Sequence, residues 1–484
     1  MSSSPPNGSN AVPSCGCGKH LRSACQDLSP DYEYEGTQFC VLHYPSTEKS
    51  EAFNEVLKRK LESQDFNFRG VWFPESVAFV DKFFSKKVDF SGAFFNQVVS
   101  FIETKFLKAD FSNATFNLEA NFYKSHFDAE ANFSYVRFKA ETNFAHVIFS
   151  EGANFNHAAF SEKAIFASAK FYLRANLERV KFEAEANFDF SFFAAPTSFL
   201  EAVFNAEAHF IETTFGISAH FGRATFRDFV QFEGTEKQKM FRNVHPDQQK
   251  LSVQPYLDLR SVKIASAKHI SFNNMTLRPH WFIKVKAHDL TFSNARWEWH
   301  ATREEIKSLE NRNITTPHEL LGIACRQLAD NMEADHLYED ASRFRFMAME
   351  ARRLGTWKGF VPWRLSWWYW LVSGYGERTL RAFGILAGVW LLYALLYTQV
   401  GFLRWETSPK NRVETGMVAT QYDEVGAPLK LPRALTYSLS VMTLQKPEPR
   451  PATTSAHILV ITETILGPVQ AALLALAIRR KFMR

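Results

Sequence analysis

Residues 120–171 read ANFYKSHFDAEANFSYVRFKAETNFAHVIFSEGANFNHAAFSEKAIFASAKF, and in them a large apolar residue recurs alternately five and six positions on: Phe122, Phe127, Phe133, Phe138, Phe144, Phe149, Phe155, Phe160, Phe166 and Phe171. The unit is eleven residues, and it runs on through Leu177, Phe182, Phe188, Phe193, Phe199, Phe204, Phe210, Phe215, Phe221 and Phe226 to Phe232, ten units without a slip. Upstream the same spacing joins Phe68, Phe73, Phe79, Phe84, Phe90, Phe95, Phe101 and Phe106, with a change of phase at Phe111 and Phe116. Two residues before each large one stands a small or β-branched one, such as Ala120, Ser125, Ala131, Val136 and Thr142; Lys82, before Phe84, breaks this rule. Neither the helical period of about 3.6 nor the strand period of about 2 fits. A coil with four short sides does, each side pointing one large and one small side chain inward.

The triplets Ala120-Asn121-Phe122, Ala131-Asn132-Phe133, Ala153-Asn154-Phe155 and Ala186-Asn187-Phe188 resemble the unit of the pentapeptide-repeat family. The resemblance implies a right-handed quadrilateral β-helix, regular over residues 68–232. The six-residue side departs from the family's pattern and makes each coil about 22 residues, so that roughly seven coils stack to about 35 Å at the strand spacing of about 4.8 Å. In residues 233–300 the pairs Leu259/Ile264, Phe272/Leu277 and Phe292/Trp297 keep the five-residue step and predict less regular coils. Every Phe of the ladder is read as core.

The open ends of such a stack need covering. Residues 15–67 are expected to form the N-terminal cap, with Phe53, Val56, Leu57 and Lys60 at helical spacing in Glu51–Leu61. Cys15, Cys17, Cys25, Cys40 and His43 lie in the same region and leave two readings open: one tetrahedral structural zinc, or free thiols in a flexible segment. Five cysteines, four of them in the first 40 residues, suit a cytosolic chain better than a secreted disulfide framework. Residues 1–14, polar and rich in Pro and Ser, read as a disordered tail.

A chain of 484 residues calls for more than one unit. Its net charge is only +5, and residues 68–232 hold 16 Lys+Arg against 19 Asp+Glu. A net of −3 suits neither a nucleic-acid binder nor the strongly acidic DNA-mimicking gyrase inhibitors of the pentapeptide family. His126, His146, His157, His209 and His220 are scattered over the coils and no nucleophile–base pair or phosphate loop stands out, so no enzymatic activity is expected.

Residues 301–356 read as an amphipathic linker of two helices, with Leu321, Cys325, Leu328 and Met332 on one apolar stripe and Leu337, Ala341, Phe344 and Ala348 on the other. Cys325 is expected to be a small buried hydrophobe. Residues 357–378 contain the Trp-rich WKGFVPWRLSWWYWL, the composition of a helix in the headgroup layer. Between Arg381 and Arg404 there are 22 residues without a formal charge, and Ser455–Ile478 carries only Glu463. Both stretches are long enough to span a bilayer. Arg378 and Arg381 before the first, and Arg479, Arg480, Lys481 and Arg484 after the second, predict cytoplasmic termini. An integral protein of the plasma (inner) membrane follows, with the solenoid in the cytoplasm.

Between the spans, Pro432 opens an apolar segment, 432–444, too short to cross and long enough to dip into the membrane. Residues 379–484 thus resemble the two-transmembrane pore module of potassium channels: Leu435–Thr443 matches its pore helix, and Thr462-Glu463-Thr-Ile-Leu-Gly467-Pro468 its inner helix, where the Gly allows a bend. The filter departs from the family. Thr443-Leu-Gln445-Lys446-Pro-Glu448-Pro-Arg450-Pro has no glycine for the backbone twists that present carbonyls to potassium. The resemblance implies a tetramer; Thr443 and Gln445 are then expected to ring the narrowest point, with Lys446 and Glu448 setting the field at its outer mouth, and the closeness of Lys446, Glu448 and Arg450, two of the three basic, predicts weak discrimination that slightly favours anions. Glu463 either lines the inner pore or is a packing residue bonded to Thr436 or Ser438; Gln470 is suited to an interhelix bond. The functions expected are an oligomeric, channel-like protein that is not potassium-selective, with a solenoid that gates or recruits a cytoplasmic protein partner, or a membrane-tethered scaffold with a sealed pore.

Overall fold

The computed structural model of the chain describes residues 15–18, 21–25, 28–235, 240–242, 255–265, 270–287, 290–355, 365–403 and 426–482. Two compact units divide it, Met1–Ala301 and Thr302–Arg484. The expected tail, residues 1–14, lies outside the described residues.

In the first unit the chain winds into a parallel β-solenoid of about nine turns. Most of its strands are two residues long, and residues 22 apart pair across neighbouring coils, as Phe116, Phe138, Phe160 and Phe182 do in one sheet. The inward rings stack in ladders. Phe111, Phe133 and Phe155 lie 4.9 and 4.8 Å apart with planes within 4° of parallel. Phe122, Phe144 and Phe166 form a second ladder at 4.6 and 5.0 Å. Where these two ladders face one another the rings meet edge to face, Phe133 with Phe144 at 5.4 Å and 88°. Stacked or edge-on pairs add about 0.5–1.5 kcal/mol each beyond the area they bury.

The alternation of five and six has a backbone cause. Lys124, Tyr135, His146, His157, Ser168, Arg179, Phe190, Glu201, Glu212 and Arg223 all adopt φ between 52° and 60°. Each stands two residues after an inward Phe or Leu, on every five-residue side. The turn there is closed by a hydrogen bond, such as Ala158 N to Phe155 O at 2.9 Å. The six-residue sides have no left-handed residue and need one more residue to turn their corner. The change of phase upstream is equally local: strand Phe83–Asp89 pairs with Lys105–Asp110 through a register shift between Phe84 and Lys87, which absorbs the residue by which the two coils differ.

The Asn of the Ala-Asn-Phe triplet is also explained. Asn132, Asn154 and Asn176 each accept the N–H two residues on, at 3.1 Å. Through Nδ2, Asn154 and Asn176 also donate to the Asn of the preceding coil at 3.4 and 3.3 Å. At the N-terminal end α1 (Ser50–Glu62) buries Phe53, Val56 and Leu57, with Phe53 edge-on to Phe73 at 5.4 Å. Irregular coils follow to Trp297, and Trp281 and Phe282 of a 3-10 turn continue the rings, on Phe241 at 4.9 Å and Phe272 at 5.6 Å.

The second unit is helical. Three helices, α2 (Thr302–Glu310), α3 (Pro317–Ala334) and α4 (Tyr338–Leu354), occupy the linker, one more than its two apolar stripes predict. Leu321, Cys325, Leu328 and Met332 of α3 are fully buried, as are Ala341, Phe344 and Ala351 of α4. Then come α5 (Leu365–Ser373), α6 (Thr379–Tyr397), a two-strand pair of Phe402–Leu403 with Gly426–Ala427, the short α7 (Leu431–Met442) and α8 (Thr454–Phe482). Both α6 and α8 are long and apolar enough to cross a membrane. The first part of the Trp-rich stretch, 357–364, lies outside the described residues.

Candidate functional site

Two groups of side chains stand apart from ordinary core, one in each unit. In the cap, a short hairpin of Tyr32–Tyr34 and Thr37–Phe39 brings Cys40 and His43 back against the segment that carries Cys15, Cys17 and Cys25. Gly16 N bonds Gln38 O at 2.6 Å, and Cys40 N approaches Cys15 Sγ at 3.2 Å. The ligand atoms of Cys15, Cys17, Cys25 and His43 lie within 4.8 Å of one another. The Sγ atoms of Cys17 and Cys25 are 3.8 Å apart, far too long for a disulfide and the edge of a tetrahedron whose Zn–S bonds are about 2.3 Å. The donor set therefore fits zinc.

The fifth residue, Cys40, is fully buried and faces His43 Nδ1 at 3.1 Å. His43 Nε2 lies 3.0 Å from the carbonyl oxygen of Arg69, which only an N–H can satisfy. Nδ1 then presents a lone pair towards the sulfur, and a proton or a cation must lie between them. A backbone acceptor on the distal nitrogen is the usual way a ligating imidazole is held. The neighbouring Cys25, and after it His43, hold the Cys40 thiol well below its usual range, against the cost of burial. Cys25 is pushed up in that exchange, and burial holds Cys17 up near about 12. Arg69, in the first coil, is a second-sphere residue that the sequence pattern did not single out, since any residue offers a carbonyl. Beside the cluster Lys49 is buried, donates from Nζ to Leu42 O at 2.9 Å and lies 5.0 and 5.4 Å from the rings of Phe53 and Trp72. Burial brings its amine down to about 7.

In the second unit α7 rests on α6 and α8 through a small polar centre inside an apolar cluster that includes Tyr393, Tyr397, Phe402, Tyr437 and Val441. Glu463, on α8, is fully buried and receives hydrogen bonds from Tyr397 Oη and Ser438 Oγ. Ser438 was one of the two partners expected for it; Thr436 instead bonds the carbonyl of Arg433 on its own helix at 2.9 Å. Tyr397 was not foreseen, although a tyrosine in an uncharged span needs a partner for its hydroxyl. Around this centre Trp390 Nε1 donates to Leu435 O at 3.0 Å, Tyr393 Oη to Thr462 Oγ1 at 2.9 Å, and Gln470 Nε2 to Ala382 O at 2.8 Å. Gly467 lies so close to α7 that a Cβ there would stand 2.9 Å from the Met442 side chain and 3.2 Å from its Cα.

The residues expected at the constriction lie at the C-terminal end of α7. Thr443, Gln445, Lys446 and Glu448 are exposed in the single chain, as are Thr436 and Leu439 on the face of α7 that turns away from the spans. Thr443 Oγ1 bonds the carbonyls of Leu439 and Ser440, both at 3.0 Å. Lys446, Glu448 and Arg450 alternate in charge along the chain.

Residues 101–148 match the family model described as pentapeptide repeats (9 copies). No curated protein and no solved structure matches the chain.

Proposed function

We propose that the chain is one subunit of an oligomeric, channel-like membrane protein that is not potassium-selective, with its pentapeptide-repeat solenoid on the cytoplasmic side as a gating or recruiting scaffold. The observation that carries this reading is α7: 12 residues, too short to span, fastened through Glu463 and Ser438 to two apolar helices, with its opposite face and its C-terminal end unburied. A helix end at membrane depth must meet protein or water. Closure of several subunits around an axis, four in the family the module resembles, supplies both. Membrane insertion is supported by α6 and α8, of whose apolar windows only 17% is buried; the core helix of a soluble protein would be mostly covered. In the assembly Thr443 and Gln445 ring the constriction and Lys446 faces its outer mouth. Purified protein in a planar bilayer under a salt gradient tests this. Conductance is expected, and Lys446→Glu should move the reversal potential towards cations. A non-conducting or strictly monomeric protein would overturn the reading.

A second reading, the tethered scaffold with a sealed pore, draws on a different observation. Glu463 is consumed by Tyr397 and Ser438, and the hydroxyls of Thr436, Ser440 and Thr443 bond carbonyls of their own helix. Few polar groups are then left to replace an ion's water.

For the cap, the donor set supports a structural zinc held by Cys15, Cys17, Cys25 and His43, with Cys40 buried beside them and its backbone N–H directed at Cys15 Sγ. Zinc there would join the N-terminal segment to the first coil through Arg69 O and close the end of the solenoid. Three of the four ligand residues are buried, which suits a closed structural site.

A further inference from the structure

The first apolar helix begins beside three arginines, of which Arg353 is paired with Glu350 while Arg378 and Arg381 rest on aromatic rings. Arg353 stands 4.5 Å and Arg381 5.0 Å from the ring centroid of Trp370, and Arg378 lies 4.5 Å from that of Phe346. The nearby carboxylates are engaged elsewhere. Glu377 pairs with Arg345 at 3.4 Å and accepts from Ser342 at 2.6 Å. Glu350 accepts from Thr302 at 2.8 Å and pairs with Arg353 at 3.5 Å. Among the described residues the guanidinium groups of Arg378 and Arg381 have only the aromatic rings as partners. Arg378 caps the start of α6 and Arg381 lies in its first turn, so both cations stand at the end of the apolar helix.

The backbone makes room for this arrangement. Gly374, Tyr375 and Gly376 all have φ between 56° and 75°, which reverses the chain sharply between α5 and α6. A Cβ on Gly374 would stand 3.1 Å from Cγ of Arg378, so the absence of a side chain there lets the arginine stem fold back towards Phe346. Immediately beyond the two arginines, Leu380 is 85% and Phe383 60% exposed, so cationic heads and bare apolar surface adjoin on the same end of α6.

We propose that Arg378 and Arg381 bind the phosphate of an anionic phospholipid headgroup, whose acyl chains cover Leu380 and Phe383. The inference rests on the membrane reading of α6. Guanidinium held face-on to an aromatic ring is pre-organised, and its planar fork suits phosphate oxygens. The adjoining apolar surface selects a lipid over a free phosphate, and the positive-inside bias selects the cytoplasmic leaflet.

The full chain in detergent, titrated with phosphatidylglycerol or phosphatidylcholine and followed by native mass spectrometry and thermal shift, tests the site. Phosphatidylglycerol should bind at least about tenfold more tightly than phosphatidylcholine, an approximate difference of 1.4 kcal/mol. Arg378→Gln with Arg381→Gln should abolish the preference, the double Lys variant should keep part of it, and Arg433→Gln, on α7, should leave it unchanged. Equal binding of both lipids, or a preference that survives the double Gln variant, overturns the proposal. Saturation by glycerol phosphate at the same concentrations would identify a free phosphate as the ligand and overturn the lipid assignment. Alkaline carbonate washing of membranes reports separately on insertion: release of the wild-type chain would refute the membrane reading and the lipid site with it, whereas a retained chain without lipid preference refutes only the site.

Discussion

Phe155 stacks on Phe133 at 4.8 Å, meets Phe144 edge-on at 5.5 Å and is fully buried. Phe155→Ala is expected to cost about 3–5 kcal/mol, because both ladder neighbours and the facing ring lose contact around a cavity that a rigid stack cannot close. Asn156→Ala, beside it on the outer surface, should cost no more than about 0.5 kcal/mol, whereas Asn154→Ala should cost about 1–2 kcal/mol, since Asn154 holds a turn and two coils together. Urea melts of the three variants check the ranking, and equal effects at 155 and 156 would refute the register. Lys49 gives a second test at this scale. Its amine is held down to about 7 by burial, against 10.5 in the unfolded chain. Between those values the unfolded state binds the proton that the folded state has lost, so stability rises with pH across that window and the penalty is complete below about pH 7. Relative to Lys49→Met, the wild type should therefore gain stability from about pH 7 to 10; a flat difference would show that the carbonyl of Leu42 and the two rings keep the ammonium charged at no cost.

At the scale of elements, the polar centre under α7 decides how that helix is held. Glu463→Ala removes the acceptor for Tyr397 and one of the two acceptors of Ser438, which keeps the carbonyl of Trp390 at 3.2 Å, and so leaves the buried Tyr397 hydroxyl unpaired, a loss of roughly 1–3 kcal/mol. Hydrogen exchange over 431–442 should speed up in this variant and much less in Glu463→Gln, which keeps an acceptor oxygen. Gly467→Ala should disturb the same contact from the other side, by pushing Met442 away. Topology is tested on the connecting segments: cysteines placed at Ser408 and Ser2, both outside the described residues, should react with an impermeant reagent in intact cells only at Ser408. Labelling at both positions would exclude the two-span arrangement.

For the whole molecule, the first unit is quasi-one-dimensional, each coil touching only its neighbours, so its ends are its weak points. The thiol cluster sits at one of them. Chelation of the purified chain should release about one zinc per chain and lower the unfolding temperature of the solenoid by several degrees, and Cys17→Ser should do the same while Cys325→Ser keeps the metal. No metal in the purified chain, with an unfolding temperature indifferent to chelator, would leave the five residues as free thiols in a packed cap. Conductance and oligomeric state, by contrast, are properties of the second unit, and truncating the N-terminal cap should alter neither unless the solenoid gates.

The sequence by itself determined the coil length, the inward position of every Phe in the ladder, the place of the two apolar helices and the short helix between them. These are all periodic or compositional, and a residue buried at a fixed interval must be apolar wherever the coil occurs. Only the tertiary structure decided the rest. That Lys124, Tyr135, His146 and the residues at the same place in later coils adopt a left-handed backbone is invisible in their identities, because hydrogen bonds to the next coil, and not a preference for glycine, hold the turn. The convergence of Cys15, Cys17, Cys25, Cys40 and His43 depends on a hairpin and on the carbonyl of Arg69, none of which follows from the spacing of the thiols. Tyr397 reaches Glu463 across 66 residues of chain, and Arg378 and Arg381 acquire their aromatic partners from two other helices. Repetition writes a local geometry into the sequence many times over, whereas a contact made once between distant segments leaves only single residues, whose meaning depends on where the chain brings them.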